Sequence, residues 1–345
     1  MFEEEGDMRE KNRQWVLKSR PQGLVERANF EWREEPVPAI RDGQFLVRNL
    51  WLSCDPTQRP WMQFDTYIPA VPLGDVMYSV SAGQVVESRH ADFKPGDNVA
   101  GAWGWQDYAV TDGSGLVPAA KIPPGVDFPS ALSLFGITGL TAYFGLLDIA
   151  APKEGDVVVV SAAAGSTGSF VAQIARLKGC RVIGIAGGEE KCAFLTKELS
   201  LDGAIDHRQH EVPARLRELC PNGIDVYFDN VGGEILDAAL GNLAAGARIV
   251  VCGAISGYND LSRMPPIRNY LNLVLAGATM RGFLVLSFAP RFGEAIAELA
   301  SWAAAGKITT RVDVIEGLER APDALRRLFT GGNIGKQLVK IADAP

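Results

Sequence analysis

The stretch from Val157 to Gly168, VVVVSAAAGSTG, constrains the fold of this chain more than any other segment. A run of four valines is typical of a strand that is buried on both faces, as in a parallel sheet. Small residues follow the valines, and from Ser169 the apolar residues recur at the spacing of a helix. The segment therefore predicts a buried strand, a tight turn and a helix, in that order.

A second apolar run, Cys180–Ala186, follows the predicted helix, so that residues 157–186 form one strand–helix–strand unit of about thirty residues. The turn has the spacing Ala163-x-Gly165-x-x-Gly168. This is the G-x-G-x-x-G fingerprint of dinucleotide-binding turns with alanine in place of the first glycine. Such a turn lets backbone N–H groups at a helix N-terminus reach the pyrophosphate of a dinucleotide. The same turn can also be a packing solution without a ligand, and the turn alone leaves both readings open.

The end of the second predicted strand favours NADP(H) over NAD(H). A site that prefers NAD places Asp or Glu there, bonded to the ribose 2′-OH. This chain has Ala-Gly-Gly at residues 186–188, followed by Lys191 at the start of the next predicted helix. An open strand end beside a cation suits a 2′-phosphate. Glu189 and Glu190 argue in the other direction, and Lys191 can equally be a solvated surface lysine.

Length, charge and cysteine content exclude several classes of protein. The 345 residues favour two domains, and 47% apolar with 22% charged residues suffices for a full core. A formal net charge of −7 without a basic stripe argues against a nucleic-acid partner, and the acidic segment 1–7 is expected to be a solvated tail. No apolar run approaches about eighteen residues, so we expect neither a signal peptide nor a membrane span. Five scattered cysteines without a C-x-x-C pair favour a reducing, cytoplasmic compartment over a disulfide framework or a structural zinc site.

The pattern of the chain changes near residue 130. Before that point, short β-branched or aromatic segments are separated by Gly, Pro and Asp, which predicts strands at Phe45–Leu52, Val76–Val86, Asn98–Ala102 and Trp105–Val110. A long apolar helical pattern then runs from Ala131 to Ile149. The strands predicted after it are Val157–Ser161, Arg181–Ala186, Ala204–Asp206, Ile224–Asp229, Ala247–Val251, Thr279–Gly282 and one near Gln337–Ile341.

Alternation of strands and helices in this second part predicts a parallel sheet with helices on both faces, and hence an α/β fold. We expect a β-rich substrate lobe formed by residues 1–129 and 308–345, and a doubly wound dinucleotide-binding domain formed by residues 130–307.

Six segments carry further motifs: RNLWLSCDP at 48–56, GLTAYFGL at 139–146, the turn at 161–168, DNVGG at 229–233, CGAISGYN at 252–259 and NIGK at 333–336. In this order they resemble the zinc-independent medium-chain dehydrogenase/reductase superfamily, in its prostaglandin reductase, leukotriene B4 12-hydroxydehydrogenase and alkenal double-bond reductase branch. The resemblance spans nearly the whole chain. It implies a GroES-like β-rich lobe, a Rossmann domain, NADPH as cofactor, and a homodimer of paired cofactor domains with Thr279–Gly282 as a candidate edge.

Zinc-using members of the superfamily carry a Cys early in the first lobe and a Gly-His-Glu segment further on. Cys54 could occupy the first position, but the second segment here is LGDV at 73–76, without His or Glu. A catalytic zinc needs three protein ligands, so we predict no metal and interpret Cys54 as a small core residue. His207 and His210 are three residues apart, but in so charged a loop solvated side chains are the better interpretation.

The resemblance implies reduction of the C=C bond of α,β-unsaturated ketones or aldehydes by hydride transfer from NADPH to the β-carbon. Negative charge then develops on the carbonyl oxygen, which needs a hydrogen-bond donor. Tyr258 matches the family's tyrosine and is the predicted catalytic donor, because a neutral phenol with a pKa of about 10 keeps its proton at pH 7. A loop tyrosine with a buried ring is the alternative. Two other functions stay open: NADPH:quinone oxidoreduction and a non-catalytic NADPH-binding role.

Position by position, the resemblance also implies which residues bind the cofactor. Lys191 matches a lysine that meets the 2′-phosphate, while His207 stands where relatives often have tyrosine, with Arg208 as a second cation nearby. The expected cofactor-binding residues are Thr141, Ala164, Gly165, Thr167, Gly168, Gly188, Lys191, His207, Asn230, Cys252, Ile255, Phe283, Val285 and Asn333. For Asn230, Phe283 and Asn333 the ordinary alternatives are a turn residue, a core residue and a cap.

The expected substrate-binding residues are Trp51, Trp61 and Tyr67. Both tryptophans depart from the residues common in the family, and a broad aromatic pocket would fit a bulky or aryl enone. The alternative is that both tryptophans are core residues of the first lobe.

Overall fold

The structure is a computed structural model that describes residues 11–344, so the acidic segment 1–7 lies outside the described residues. Its strands are β1 (Lys11–Leu17), β2 (Phe30–Pro36), β3 (Phe45–Ser53), β4 (Ser81–Ser88), β5 (Asn98–Gly101), β6 (Tyr108–Thr111), β7 (Ala120–Lys121), β8 (Val157–Ser161), β9 (Arg181–Ala186), β10 (Gly203–Asp206), β11 (Ile224–Asp229), β12 (Leu243–Val251), β13 (Thr279–Gly282), β14 (Val312–Glu316) and β15 (Lys336–Lys340).

Its α-helices are α1 (Gln58–Trp61), α2 (Phe128–Leu132), α3 (Ile137–Phe144), α4 (Ser166–Leu177), α5 (Glu189–Ala193), α6 (Val212–Leu219), α7 (Gly233–Leu240), α8 (Asn272–Ala276), α9 (Phe292–Ala304) and α10 (Ala321–Thr330). Segments Gly145–Ala150 and Phe194–Glu198 form π-helical turns. Single 3₁₀ turns lie at Arg27–Asn29, Ile255–Gly257, Leu261–Arg263, Asn269–Leu271 and Leu318–Arg320, and a longer 3₁₀ segment lies at Val285–Arg291.

The chain divides into two compact units. The first holds the described residues up to Leu132 together with 314–326 and from Leu338 onward, and the second holds 133–313 and 327–337. Residues 327–337 thus pack with the second unit, whereas the sequence analysis places 308–345 as a whole in the β-rich lobe. Hydrogen bonds hold them there: the Gly335 N–H donates to the Ala164 carbonyl oxygen at 2.7 Å.

The first unit is β-rich, as predicted. Its main sheet runs in the order β14-β15-β3-β4-β5-β7, with β6 also paired to β3, and β1 and β2 form a separate antiparallel pair. Strands β3 and β5 confirm the predicted positions to within one residue. Strand β4 begins at Ser81 rather than Val76, and β6 begins at Tyr108 rather than Trp105. The β1–β2 pair was not predicted.

The second unit contains a parallel sheet in the order β10-β9-β8-β11-β12-β13. Taken in chain order these are its third, second, first, fourth, fifth and sixth strands, which is the doubly wound arrangement. The α/β fold and all six predicted strands of this sheet are therefore confirmed.

The valine run shows why β8 lies at the centre of this sheet. Val158 and Val160 pack into one apolar cluster with Phe170, whereas Val159 packs into another with Ile183. All three valines are fully buried. Helices therefore cover both faces of the strand, as a continuous apolar run predicts.

Two helix predictions need correction. Helix α4 begins at Ser166, three residues before Ser169, because the small-residue turn already has helical geometry there. The apolar pattern from Ala131 to Ile149 is not one helix: it forms α2, α3 and a π-helical turn, interrupted near Gly136, the residue that precedes α3. Within residues 11–344, no helix combines the length and apolarity that a membrane crossing needs.

Candidate active site

The site is organised around the place where the order of the parallel strands reverses, between β8 and β11. In doubly wound sheets ligands bind outside the carboxyl ends of the strands at such a point. Here Ser161 ends β8, and its hydroxyl donates to Asp229 Oδ1 at 3.0 Å. The Asn230 side-chain amide donates to the Ser161 carbonyl oxygen at 2.7 Å. These bonds fix the two strand ends relative to each other, and they agree with the turn role left open for Asn230.

The turn from β8 into α4 is tightly constrained. Gly165 is the N-cap of α4 and has no side chain to cap the helix. A Cβ on Gly168 would lie 2.4 Å from the Ala162 carbonyl oxygen, so only glycine fits at that position. Ala162 itself has φ +47°, in the left-handed region that favours glycine. Free N–H groups at the start of α4 are therefore presented to a ligand rather than to a capping side chain.

Other predicted residues surround this turn. Ala164 is buried and accepts the bond from Gly335 described above, while Thr167 lies in the first turn of α4. The Thr141 hydroxyl donates to the Ile137 carbonyl oxygen at 2.6 Å, one helical turn earlier in α3. The Asn333 amide donates to the Gly335 carbonyl oxygen at 3.0 Å, which agrees with the alternative of a cap.

Three basic side chains gather where β9 and β10 end. A Cβ on Gly187 would lie 2.7 Å from His207 Nε2 and 2.9 Å from Arg208 Nε. A Cβ on Gly331 would lie 2.6 Å from Arg208 Nη2 and 3.7 Å from Lys191 Nζ. Both Arg208 and Lys191 therefore approach the same point beside Gly331.

The charges of this cluster favour the binding of an anion. Burial and the neighbouring Arg208 lower the pKa of Lys191, and partial burial and Arg208 lower the pKa of the otherwise exposed His207. Gly188, the N-cap of α5, donates its N–H to Asp206 Oδ1 at 2.8 Å, which holds the loop in place. A bound phosphate would relieve the repulsion between the cations.

Beyond β12 the chain forms a loop that carries Cys252, Ile255 and Tyr258. The Ile255 N–H donates to the Asn230 carbonyl oxygen at 3.3 Å. Burial, reinforced by Asp229, raises the pKa of the half-buried Cys252 thiol to about 12, so the thiol is protonated at neutral pH.

The Tyr258 hydroxyl oxygen accepts a hydrogen bond from the Ala254 backbone N–H at 3.2 Å. Burial raises the pKa of Tyr258 above its ordinary value, and the Ala254 N–H offsets only part of this effect. The phenol is therefore neutral at pH 7. Because the Tyr258 oxygen is the acceptor in the bond with Ala254, its own O–H proton stays available for a second bond. Such a group can donate a hydrogen bond to a developing oxyanion.

Phe283 and Val285 follow the edge strand β13. The Phe283 ring lies against Gly145: a Cβ added to Gly145 would be 2.6 Å from Cζ of the ring. The side chain therefore packs against the core, which agrees with the alternative interpretation of Phe283 as a core residue. Val285 is buried as well. Their side chains thus anchor a segment in which the sequence analysis expects two cofactor-binding residues.

In the first unit, Trp61 lies at the centre of an aromatic cluster. Its ring meets Tyr67 at a centroid distance of 6.1 Å and Tyr78 at 5.5 Å, both edge-on. Trp61 is 7% exposed and its indole N–H has no hydrogen-bond partner, whereas Tyr67 is 45% exposed. Trp51 is half-buried on β3, opposite Ala82, and makes none of these ring contacts.

Sequence reasoning missed three residues of these groups. Tyr78 was hidden inside the predicted strand Val76–Val86, and nothing in its pattern pointed to Trp61. Ser161 was interpreted as the end of a strand and the first residue of the turn motif, without a role for its hydroxyl. The Ala254 N–H is a backbone group, which no side-chain pattern can reveal.

The residues present fit a phosphorylated dinucleotide: the start of α4 has no capping side chain, the turn before it is so tight that Gly168 leaves no room for a Cβ, and a cation cluster lies beyond β9. Among the described residues, no group of three or more His, Cys, Asp or Glu side chains is arranged to hold a metal ion. The five cysteines all lie among the described residues and form no disulfide there, and Cys54 is buried.

Comparison with known proteins agrees with this arrangement. A family model described as the N-terminal domain of oxidoreductase matches residues 13–119, and one described as zinc-binding dehydrogenase matches residues 166–301. The NADPH-dependent curcumin reductase of Escherichia coli (strain K12) is 41% identical over 98% of this chain and 99% of its own length. Prostaglandin reductase 1 of Rattus norvegicus is 38% identical over 94% and 98%.

A similar solved structure is CurA from Vibrio vulnificus in complex with NADPH. Its TM-score is 0.91 at 42% identity, covering 96% of this chain and 99% of that one. With such identities over nearly the full length of both chains, the protein belongs to the zinc-independent branch of the medium-chain dehydrogenase/reductase superfamily, and it is an oxidoreductase whose cofactor is NADPH.

Proposed function

We propose that this enzyme reduces the C=C bond of α,β-unsaturated ketones and aldehydes, with Tyr258 rather than zinc stabilising the enolate. The observation that carries the proposal is the Tyr258 hydroxyl, which is kept neutral by burial and accepts the Ala254 N–H. The names of the curcumin and prostaglandin reductases among its relatives support the same reaction class.

When bound, NADPH supplies a hydride to the β-carbon of the substrate. The chain's own part is to hold and orient the reactants. Gly165, Thr167 and Gly168 would hold the pyrophosphate at the start of α4, and Lys191 and Arg208 would hold the 2′-phosphate. Tyr258 donates its O–H to the carbonyl oxygen of the substrate, where negative charge develops as the β-carbon accepts the hydride.

An isotope experiment tests the reaction. With NADPH deuterated at C4 on the transferred face, we expect the label on the β-carbon of a saturated ketone and a solvent proton on the α-carbon, read by NMR and mass spectrometry. An allylic alcohol as product, or faster turnover of quinones than of enones, would refute the proposal. NADPH that binds but is not oxidised by any acceptor would favour a non-catalytic role.

Tyr258→Phe tests the donor. We expect a fall in kcat that is smaller than the roughly 10²–10³ seen for lost oxyanion donors elsewhere, because the cofactor's ribose hydroxyl can share the load. The dissociation constant for NADPH should not change. The matched control is Tyr270→Phe, since Tyr270 is 65% exposed and lies outside the loop that carries Tyr258. Unchanged enone reduction by Tyr258→Phe would remove Tyr258 from the mechanism.

We further propose that the preferred substrates carry a bulky or aryl group that contacts Trp61 and Tyr67. The aromatic cluster with Tyr78 supports this choice, because aryl rings favour edge-on packing against such side chains. Replacing Trp61 by Leu should lower kcat/KM for an aryl enone more than for a short alkyl enal. Equal losses for both substrates would contradict the assignment. Trp51 stays a weaker candidate, since it is separate from the cluster.

We also propose that the protein is a homodimer formed through β13. This strand is at the edge of the parallel sheet and is exposed along its whole length, which leaves backbone groups open for pairing. Nearby, Leu271, Val274 and Leu275 are 56%, 74% and 77% exposed, an apolar surface typical of an interface. A second copy fits both features, because two edge strands can pair about a two-fold axis. We also propose a reducing, cytoplasmic location, which cysteines that form no disulfide among the described residues support.

A further inference from the structure

The loop after β12 contains a hydrogen bond that affects how well Tyr258 can donate its own proton. The Ala254 N–H donates to Tyr258 Oη at 3.2 Å. A hydroxyl oxygen that accepts a bond becomes a stronger donor through its own proton, because the two bonds polarise each other. Ala254 therefore both aims the phenol and strengthens it as a donor.

Gly253 provides the space in which this bond forms. A Cβ on Gly253 would lie 3.0 Å from Tyr258 Oη, and its next neighbour, the Asn230 carbonyl oxygen, would be at an ordinary 3.5 Å. Carbon and oxygen rarely approach as closely as 3.0 Å, so the hydroxyl would have to retreat. The Ala254–Tyr258 bond is already at the long end of the normal range, and a retreat of a few tenths of an ångström breaks it.

We propose that Gly253 is a positioning residue: the absence of a side chain there lets the Ala254 N–H hold the Tyr258 hydroxyl in the place from which it donates to the enolate oxygen. This inference rests on the donor role of Tyr258 in the proposed function. It adds that Gly253 acts only through that hydroxyl. Its backbone does not lie in the left-handed region, so alanine is excluded by the contact and not by backbone strain.

A double-mutant cycle of Gly253→Ala and Tyr258→Phe tests this. Gly253→Ala should lower kcat by roughly three- to tenfold, since small misplacements of a catalytic group are costly, while the NADPH dissociation constant stays constant. In the Tyr258→Phe background the same substitution should change kcat by less than about twofold, because no hydroxyl remains to be displaced. An equal loss in both backgrounds would overturn the proposal.

Two further measurements keep the test decisive. Gly293→Ala is the matched control, because a Cβ on Gly293 meets no atom within 4 Å and its kcat should be that of the parent enzyme. With ¹³Cζ-tyrosine labelling, the resonance that disappears in Tyr258→Phe should shift in Gly253→Ala. An unshifted resonance would refute the displacement.

If Gly253→Ala does not fold, the double variant decides. Phenylalanine at 258 removes the oxygen that a Cβ would meet, so the double variant should fold and bind NADPH. A double variant that also fails to fold contradicts the proposal. A parent enzyme whose enone reduction is unaffected by Tyr258→Phe overturns both the proposed function and this inference, whereas additive losses overturn the inference alone.

Discussion

At the scale of single residues, the cation cluster beyond β9 and β10 is the proposed site for the 2′-phosphate of NADPH. Lys191 on α5 and Arg208 in the loop after β10 approach one point beside Gly331. Charge-assisted bonds to a phosphate are worth about 1.5–3 kcal/mol each. If both side chains bind the 2′-phosphate, as proposed, they favour NADPH over NADH, because NADH lacks that group.

Lys191→Ala and Arg208→Ala should each weaken NADPH binding by about tenfold or more and change NADH binding by less than about twofold, since each removes one bond to the 2′-phosphate. Fluorescence titration at fixed ionic strength measures both constants. Lys197→Ala is the control, because Lys197 is exposed and outside the cluster. Equal weakening of NADH would contradict the assignment.

His207 should make NADPH binding depend on pH. Partial burial and Arg208 lower the pKa of His207, so its ring is neutral at pH 7 in the free enzyme. A phosphate dianion nearby would raise that pKa, so binding takes up a proton. Binding therefore tightens as pH falls through the raised pKa of the complex, until the ring is also protonated in the free enzyme, below the ordinary pKa of 6.5. Calorimetry in two buffers of different ionisation enthalpy should detect the uptake with NADPH and not with NADH.

The control for this prediction is His210→Gln, since His210 is exposed in the same loop but does not lie over Gly187. It should keep the proton uptake that His207→Gln loses. Uptake that survives in His207→Gln would assign the proton to another group.

At the scale of elements, the turn between β8 and α4 combines a strained residue with a crowded one. Ala162→Gly should raise the free energy of unfolding by about 0.5–1 kcal/mol, because the left-handed backbone at Ala162 costs alanine more than glycine.

Gly168→Ala should lower the free energy of unfolding by about 1–3 kcal/mol and weaken NADPH binding, because its Cβ would press on the Ala162 carbonyl oxygen. Thermal denaturation and NADPH titration check both. A stabilised Gly168→Ala would show that the turn is not tight.

Regular elements of this kind could be predicted from the sequence because their signals are local. The valine run and the strand–helix alternation identify the parallel sheet and thereby the edge at which a ligand binds. The positive φ at Ala162 could not be predicted, since alanine carries no signal for it. The helix pattern at 131–149 failed because periodicity alone does not reveal the interruption near Gly136.

The candidate site could likewise be predicted where the signal is local and not where it depends on tertiary contacts. Positions on strand ends and helix starts, such as Gly165 and Lys191, were accessible to sequence reasoning because a motif fixes where they lie. Contacts between segments distant in the chain were not: the approach of Arg208 to Gly331 and of Trp61 to Tyr78 depends on tertiary packing.

At the scale of the whole molecule, the proposed dimer is the property most open to a direct measurement. Replacing both Val274 and Leu275 by Asp should convert the protein to single chains, because charges on the exposed surface beside β13 oppose burial. Light scattering after size-exclusion chromatography gives the mass. Leu73→Asp, at an apolar position of the first unit that is 55% exposed, should leave the mass unchanged. A parent protein that is already monomeric would refute the dimer.

Residues 327–337 complete the nucleotide-binding unit although a segment of the other unit precedes them in the chain. During synthesis, therefore, residues 327–337 must leave the ribosome before Gly331 and Gly335 can approach Arg208 and Ala164. We expect a nascent chain or a fragment that stops at Asp313 to lack part of the affinity for the cofactor.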